Sequence, residues 1–162
     1  MFDTSPEGIL NIISQGESAT VEFKQRFPPT DVIAKVLAAF ANTNGGILLI
    51  GIADDGSIVG IPEHDVKSLI ERLHRLASSL LGYPVQIGNV TIQGKSIIYA
   101  IVDKVPMHLG PVLSSKGEFL KRDGARIDNM KRAAPRCDIT PGTKNNLKGG
   151  AAHGEKDSIC RH

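Results

Sequence analysis

The chain has no tryptophan, and aromatic residues make up only 4% of its 162 positions. A platform that stacks successive unpaired bases on aromatic rings is therefore not expected. Any nucleic acid should be recognised through backbone charge and shape, which suits a folded RNA or a duplex. Cysteine is nearly missing: Cys137 and Cys160 both lie in the polar C-terminal stretch, away from any His/Cys ligand spacing. They read as free thiols of a reducing cytoplasm, not as a disulfide or a zinc site. No apolar run approaches the ~20 residues that span a bilayer. The start, Met1-Phe2-Asp3-Thr4-Ser5-Pro6-Glu7, lacks the basic and apolar segments of a secretion signal. The expectation is a cytoplasmic protein with no membrane partner. Internal repeats are absent too.

Charge of one sign is also missing from most of the chain. Residues 1–127 hold 12 Lys/Arg against 13 Asp/Glu, a net of −1, whereas residues 128–162 hold 7 against 4, a net of +3. A nucleic-acid footprint must then be a local patch plus the C-terminal stretch. That stretch, residues 131–162, is rich in Pro, Gly, Lys, Asn and Ser and shows no hydrophobic period. Such a composition predicts a low-order polar and basic tail behind a single domain at 1–130.

What is present is a regular alternation of element signals. Ser5-Pro6-Glu7 starts a helix with an apolar face of Ile9, Leu10, Ile12 and Ile13 that ends at Gly16. From Thr20 to Lys24 the period becomes two, with Val21 and Phe23 on one side and Thr20, Glu22 and Lys24 on the other. After Pro28-Pro29, Thr30 or Asp31 caps a helix carrying Val32, Ile33, Val36, Leu37 and Phe40. It ends near Asn42, and Gly45-Gly46 turns it into an apolar strand, Ile47 to Ile52, with both faces covered or in a central sheet position. Asp54-Asp55-Gly56-Ser57 is a hairpin turn and Ile58–Ile61 the returning strand. Pro62-Glu63 opens the longest helix, whose buried stripe includes Val66, Leu69, Leu73, Leu76 and Leu80. Val85–Ile92 and Lys95–Val102 form a hairpin around Gln93-Gly94, and Pro111–Lys121 gives a further strand or pair.

Two blocks carry the chemistry. Glu17-x4-Glu22-Phe23-Lys24 puts two carboxylates and a lysine on and beside a strand, and Asp54 stands where the next strand is released. If the strands are neighbours these side chains converge, and three carboxylates with a lysine make a divalent-metal site for phosphodiesters. Polar residues on a solvated strand face also alternate for no catalytic reason. Asp55-Gly56 is explained by turn geometry alone, which leaves Asp54 as the better ligand. Asn42-Thr43-Asn44-Gly45-Gly46 is not a phosphate loop: it lacks the Gly-x4-Gly-Lys-Ser/Thr pattern and precedes a strand rather than a helix. Lys121, Arg122 and Arg126, followed by Lys131 and Arg132, form the densest basic stretch and the expected phosphate-contacting patch. Arg72, His74 and Arg75 sit on the polar side of the long helix and read as solvated.

Taken in order, Glu17-x4-Glu22-Phe-Lys, Ala-Phe-Ala-Asn42-Thr-x-Gly45-Gly46, Ile-Gly51-Ile-x-Asp54-Asp55-Gly56-x-Ile-Val-Gly60 and Phe119-Leu-Lys-Arg122-Asp-Gly124 resemble the AlbA-type DNA-binding domain of the Schlafen family. That domain was once described as a divergent AAA module. The resemblance runs from about Glu17 to about Asp123. It implies an α+β fold, a small mixed β-sheet with packed helices, and binding of RNA or DNA. In ribonuclease members, two Glu and one Asp hold a divalent metal and support cleavage of tRNA or rRNA. Position by position these fall on Glu17, Glu22 and Asp54, with Asp55 as the alternative, so that Mg²⁺ or Mn²⁺ would be the cofactor and Lys24 would position the water or the scissile phosphate. Many bacterial members carry an acidic residue where this chain has Ala53. The leading expectation is a metal-dependent endoribonuclease. The alternatives are a non-catalytic DNA-binding or regulatory module and a domain that homo-oligomerises through a sheet edge.

Overall fold

A computed structural model describes residues 1–129. The expectations placed on 131–162, including Lys131, Arg132, Cys137 and Cys160, lie outside the described residues. In chain order the elements are α1 (Pro6–Gln15), β1 (Val21–Lys24), α2 (Thr30–Ala41), β2 (Gly46–Ile50), α3 (Glu63–Leu81), β3 (Gln86–Ile92), β4 (Lys95–Val102), β5 (Leu120–Asp123) and β6 (Arg126–Asn129). The fold is α+β.

Four strands make one mixed sheet in the order β1-β2-β4-β3. β1 runs parallel to β2, joined through α2, while β4 is antiparallel to both β2 and β3. The alternation of each strand decides what it faces. Val21, Phe23, Ile47 and Leu49 point to the side where Ile9 of α1 is buried. Leu48, Ile50, Ala100 and Val102 point to the side covered by Leu37 and Phe40 of α2 and Leu73 and Ala77 of α3. β2 is buried along its whole length, as its unbroken apolar run predicts. A separate hairpin, β5–β6, is the second sheet.

Local chemistry sets most boundaries. Ser5 caps α1 by accepting from the Gly8 N–H at 3.0 Å. For α2 neither expected cap is used: Pro29 occupies the N-cap position with no side-chain bond, and Thr30 is already helical. The strand expected to reach Ile52 stops at Ile50. Gly51 lies at φ +109°, where a Cβ would sit 3.3 Å from Gly60 Cα. Val59 and Gly60 N–H both donate to the Gly51 carbonyl. The two segments therefore meet at a bend, and Ile58–Ile61 forms isolated bridges to Ile52 and Ser96 instead of a strand. Likewise Leu113 and Phe119 pair only as a bridge, and β6 supplies the partner for β5 that the alternation had not revealed.

Candidate functional site

β1 lies at the edge of the sheet. Its Thr20 and Lys24 carbonyls accept from Ile47 and Gly51 of the β2 segment. In a parallel pair the alternate residues, Val21 and Phe23, then aim their backbone groups outward. The Val21 N–H and carbonyl and the Phe23 N–H are taken. Ser18 exchanges hydrogen bonds with Val21, and Glu17 Oε1 accepts from the Phe23 N–H at 2.9 Å. The carboxylate expected as a metal ligand is thus a cap on an edge strand, and this edge has no free N–H at Val21 or Phe23 for a second chain to pair with.

Glu22 points to the opposite side, as the alternation predicts. That side is not solvated: α2 and the β5–β6 hairpin cover it, and Glu22 is only 7% exposed. Lys24 Nζ donates to Glu22 Oε1 at 2.7 Å, and Arg122 Nη1 donates to Glu22 Oε2 at 2.9 Å. Arg122 Nη2 reaches the Ser18 carbonyl at 2.6 Å and the Val21 carbonyl at 3.4 Å. The guanidinium carbon of Arg122 lies 4.8 Å from the centre of the Phe40 ring. Its side chain has no exposed surface, and its Nε has no hydrogen-bond partner among the described residues. Arg122, expected to contact phosphate, is therefore a buried counter-ion. A charge removed from water needs such pairing, and the guanidinium fork is the side chain suited to it.

Asn42 and Thr43 hold that arrangement in place. The Asn42 amide donates to the Val112 and Leu120 carbonyls at 2.7 and 2.9 Å and accepts from the Val112 N–H at 2.8 Å. Thr43 Oγ1 donates to Ala39 and accepts from the Arg122 N–H at 2.9 Å. The motif after α2 is a clamp that seats the β5 segment on the helix end. Gly46 follows because a Cβ there would run into the Phe40 ring.

Asp54 stands exposed in a tight turn where Ala53 N–H donates to the Ser57 carbonyl. Asp55 accepts from both the Ser57 hydroxyl and its N–H, at 2.6 and 2.9 Å, and these bonds hold its carboxyl below the usual carboxylate range, the hydroxyl contributing most. Asp55 thus has the turn role its Asp-Gly context predicts. Among the described residues no three His, Cys, Asp or Glu side chains gather where they could hold a metal ion. The expected convergence of Glu17, Glu22 and Asp54 does not occur. The donor set does not fit Mg²⁺ or Mn²⁺ as it stands. Both Glu22 oxygens are engaged by cations, and a divalent ion would have to displace Lys24 and sit beside a buried guanidinium.

The basic hairpin also differs from its expectation. Leu120 and Arg122 turn inward, so Lys121 and Arg126 face outward. The register sets Lys121 opposite Asp128 and Arg126 opposite Asp123. Two cations on this face are thus matched by two carboxylates, and the patch carries no excess charge. Lys121 further leans over the Phe119 ring at 5.6 Å.

A different surface sets two cations against one carboxylate, Arg26 and Arg72 against Asp65. Beyond the end of β1, Gln25, Arg26 and Phe27 form one wall of a groove of about 490 Å³, with Val59–Pro62 and α3 as the others. Arg72, read from the sequence as merely solvated, lies over the Phe27 ring at 5.0 Å. Forty-five positions separate this pair, so no local pattern could have revealed it.

The family model described as Schlafen, AlbA_2 matches residues 17–131. Among solved structures, the chain is similar to the DIP2311 protein from Corynebacterium diphtheriae, with 21% identity and a TM-score of 0.54 over 70% of this chain and 25% of that one. It is also similar to the N-terminal domain of a RecG-related protein from Nitrosomonas europaea, with 22% identity and a TM-score of 0.52 over 70% of this chain and 82% of that one. The chain thus spans a quarter of the first of these proteins and most of the second. At such identities the likeness concerns the fold. The comparison with curated proteins returned no match. No helix among the described residues is long and apolar enough to cross a membrane. The matched span begins at Glu17 and takes in the edge cap, the Glu22–Arg122 pair and the Asn42 clamp, and it makes this chain a member of the Schlafen AlbA_2 family, a nucleic-acid-related domain.

Proposed function

We propose that this domain binds nucleic acid and does not cut it through Glu17, Glu22 and Asp54. The observation that carries this reading is the state of Glu22, whose two oxygens are held by Lys24 and by the buried Arg122. A catalytic carboxylate needs a free oxygen for a metal, a water or a proton. Glu22 has instead the pairing of a structural ion bridge that fastens the β5–β6 hairpin to the edge strand. Support for nucleic acid as the partner comes from family membership, together with the name of one structural neighbour, which relates it to the DNA helicase RecG. A non-catalytic module of this kind would serve as the nucleic-acid contact of a larger assembly or a regulator.

The test is incubation with total tRNA and with duplex DNA, each with and without Mn²⁺. Retention of nucleic acid with intact products is expected in every arm. Mn²⁺-dependent cleavage that disappears in Glu22→Gln would overturn the reading and restore the endoribonuclease acting on tRNA or rRNA. Failure to retain any nucleic acid would overturn the binding role itself.

A further inference from the structure

We infer that the groove beside Phe27 takes the phosphodiester backbone of single-stranded nucleic acid, with Arg26 and Arg72 as its phosphate contacts. The inference rests on the nucleic-acid-binding reading above and gives that reading a surface. Arg72 lies over the Phe27 ring at 5.0 Å. A cation–π contact is electrostatic, so it holds the guanidinium in place while phosphate oxygens can still take its N–H donors. None of the ion pairs among the described residues uses Arg26 or Arg72. Both line the same groove, with Asp65 as the acidic side chain on its wall. Asp65 lies 3.5 Å from His64, so its carboxylate is turned at least partly to a neighbour on its own helix. Val59, 41% exposed, and Ile61 supply an apolar wall.

Three features fit a phosphodiester chain. Planar forks match phosphate oxygens bidentately. An arginine held against a ring is already ordered, so less rotamer freedom is lost on binding. A groove of about 490 Å³ falls in the size range of pockets that take a nucleotide-sized group, so it suits one strand where the low aromatic content had suggested a folded RNA or a duplex. The outer face of the β5–β6 hairpin lacks this character, because Asp128 and Asp123 stand opposite its two cations.

The experiment is fluorescence anisotropy on the full chain with a short labelled oligouridylate, the matching oligothymidylate and a duplex, across a salt series. Single strands should bind more tightly than the duplex. The double variant Arg26→Ala/Arg72→Ala should weaken single-strand binding by roughly tenfold or more and flatten the salt slope by about 1.4, at ~0.7 for each phosphate no longer neutralised. Arg72→Lys keeps the charge but not the planar fork, and should fall between the two. Arg75→Ala, exposed on the same helix but outside the groove, is the control and should bind as the parent does. Thermal denaturation of each variant checks that the fold is intact. Parent-like affinity and slope in the double variant, with the parent chain binding normally, would overturn this inference alone. Tighter binding of the duplex would overturn the single-strand assignment. A parent chain that binds none of the three probes would overturn both this inference and the function proposed above.

Discussion

Two arginines of this domain lie over phenylalanine rings at almost the same distance, Arg122 over Phe40 at 4.8 Å and Arg72 over Phe27 at 5.0 Å. Their roles are opposite because their exposure is. Arg122 is sealed between α2, β1 and the β5 strand, where its donors meet Glu22, Ser18 and Val21. In that low-dielectric site every donor left unpaired carries a desolvation cost, so the guanidinium is committed to the fold. Arg72 is exposed and joins no ion pair among the described residues, so exchanging water for a phosphate costs it little. An arginine–aromatic contact by itself does not distinguish a structural residue from a binding one. Burial and the fate of the remaining N–H groups do.

The largest expected effect tests the buried half of that comparison. Arg122→Ala strands Glu22 with Lys24 alone and removes the link between the hairpin and the edge strand, so stability should fall by about 3–5 kcal/mol, measured by urea denaturation. A loss as small as that of Arg72→Ala would mean the buried pair contributes no more than an exposed one. Next comes Asn42→Ala, which deletes two donated hydrogen bonds and one accepted one and leaves the Val112 and Leu120 carbonyls unpaired. A loss of about 2–3 kcal/mol is expected, with hydrogen exchange rising first in the β5–β6 hairpin.

Glu22→Gln keeps the shape and removes one charge, and Arg122 then lacks its counter-ion. The cost should be about 1–3 kcal/mol, and pairing it with Arg122→Met should recover part of that loss in a double-mutant cycle. Independent, additive losses would show that the two side chains are not coupled. Arg72→Ala should cost less than about 1 kcal/mol of stability, the range of an exposed cation–π contact, while weakening nucleic-acid binding.

The smallest effect is a pH dependence. Tyr83 donates its hydroxyl to the Asp103 carbonyl at 2.7 Å, and burial, aided by the Asp103 charge, pushes its pKa up to about 12. The folded pKa lies above the unfolded value, so this contribution is whole below about pH 10 and is lost as pH rises through about 12. Denaturation curves over that window should be steeper in pH for the parent than for Tyr83→Phe. Equal slopes would place the phenol in open water.

Much of the fold was legible because it rests on local chemistry. Ser5-Pro6 fixed the start of α1, the unbroken Ile47–Ile50 run marked β2 as covered on both faces, and Gln93-Gly94 marked the β3–β4 hairpin. Period two separated Val21 and Phe23 from Glu22 and Lys24 correctly, yet the polar side was read as solvated. Alternation reports which residues share a face and is silent on what covers it. The Glu17–Glu22–Asp54 constellation was misjudged for the same reason. Glu22 and Arg122 are a hundred positions apart, and their 2.9 Å contact depends on where α2 leaves the hairpin.

The sequence by itself determined the three helices, the strands β1 to β4, the turn role of Asp55 and the family, since each is written in residues that are neighbours along the chain. Only the tertiary structure decided that Glu17 caps an edge, that Glu22 is neutralised by Arg122, that Asn42 is a clamp and that Arg72 lies over the Phe27 ring. The physical reason is that burial and long-range pairing fix whether a charged group is held by the protein or left to a ligand, and neither is encoded in spacing.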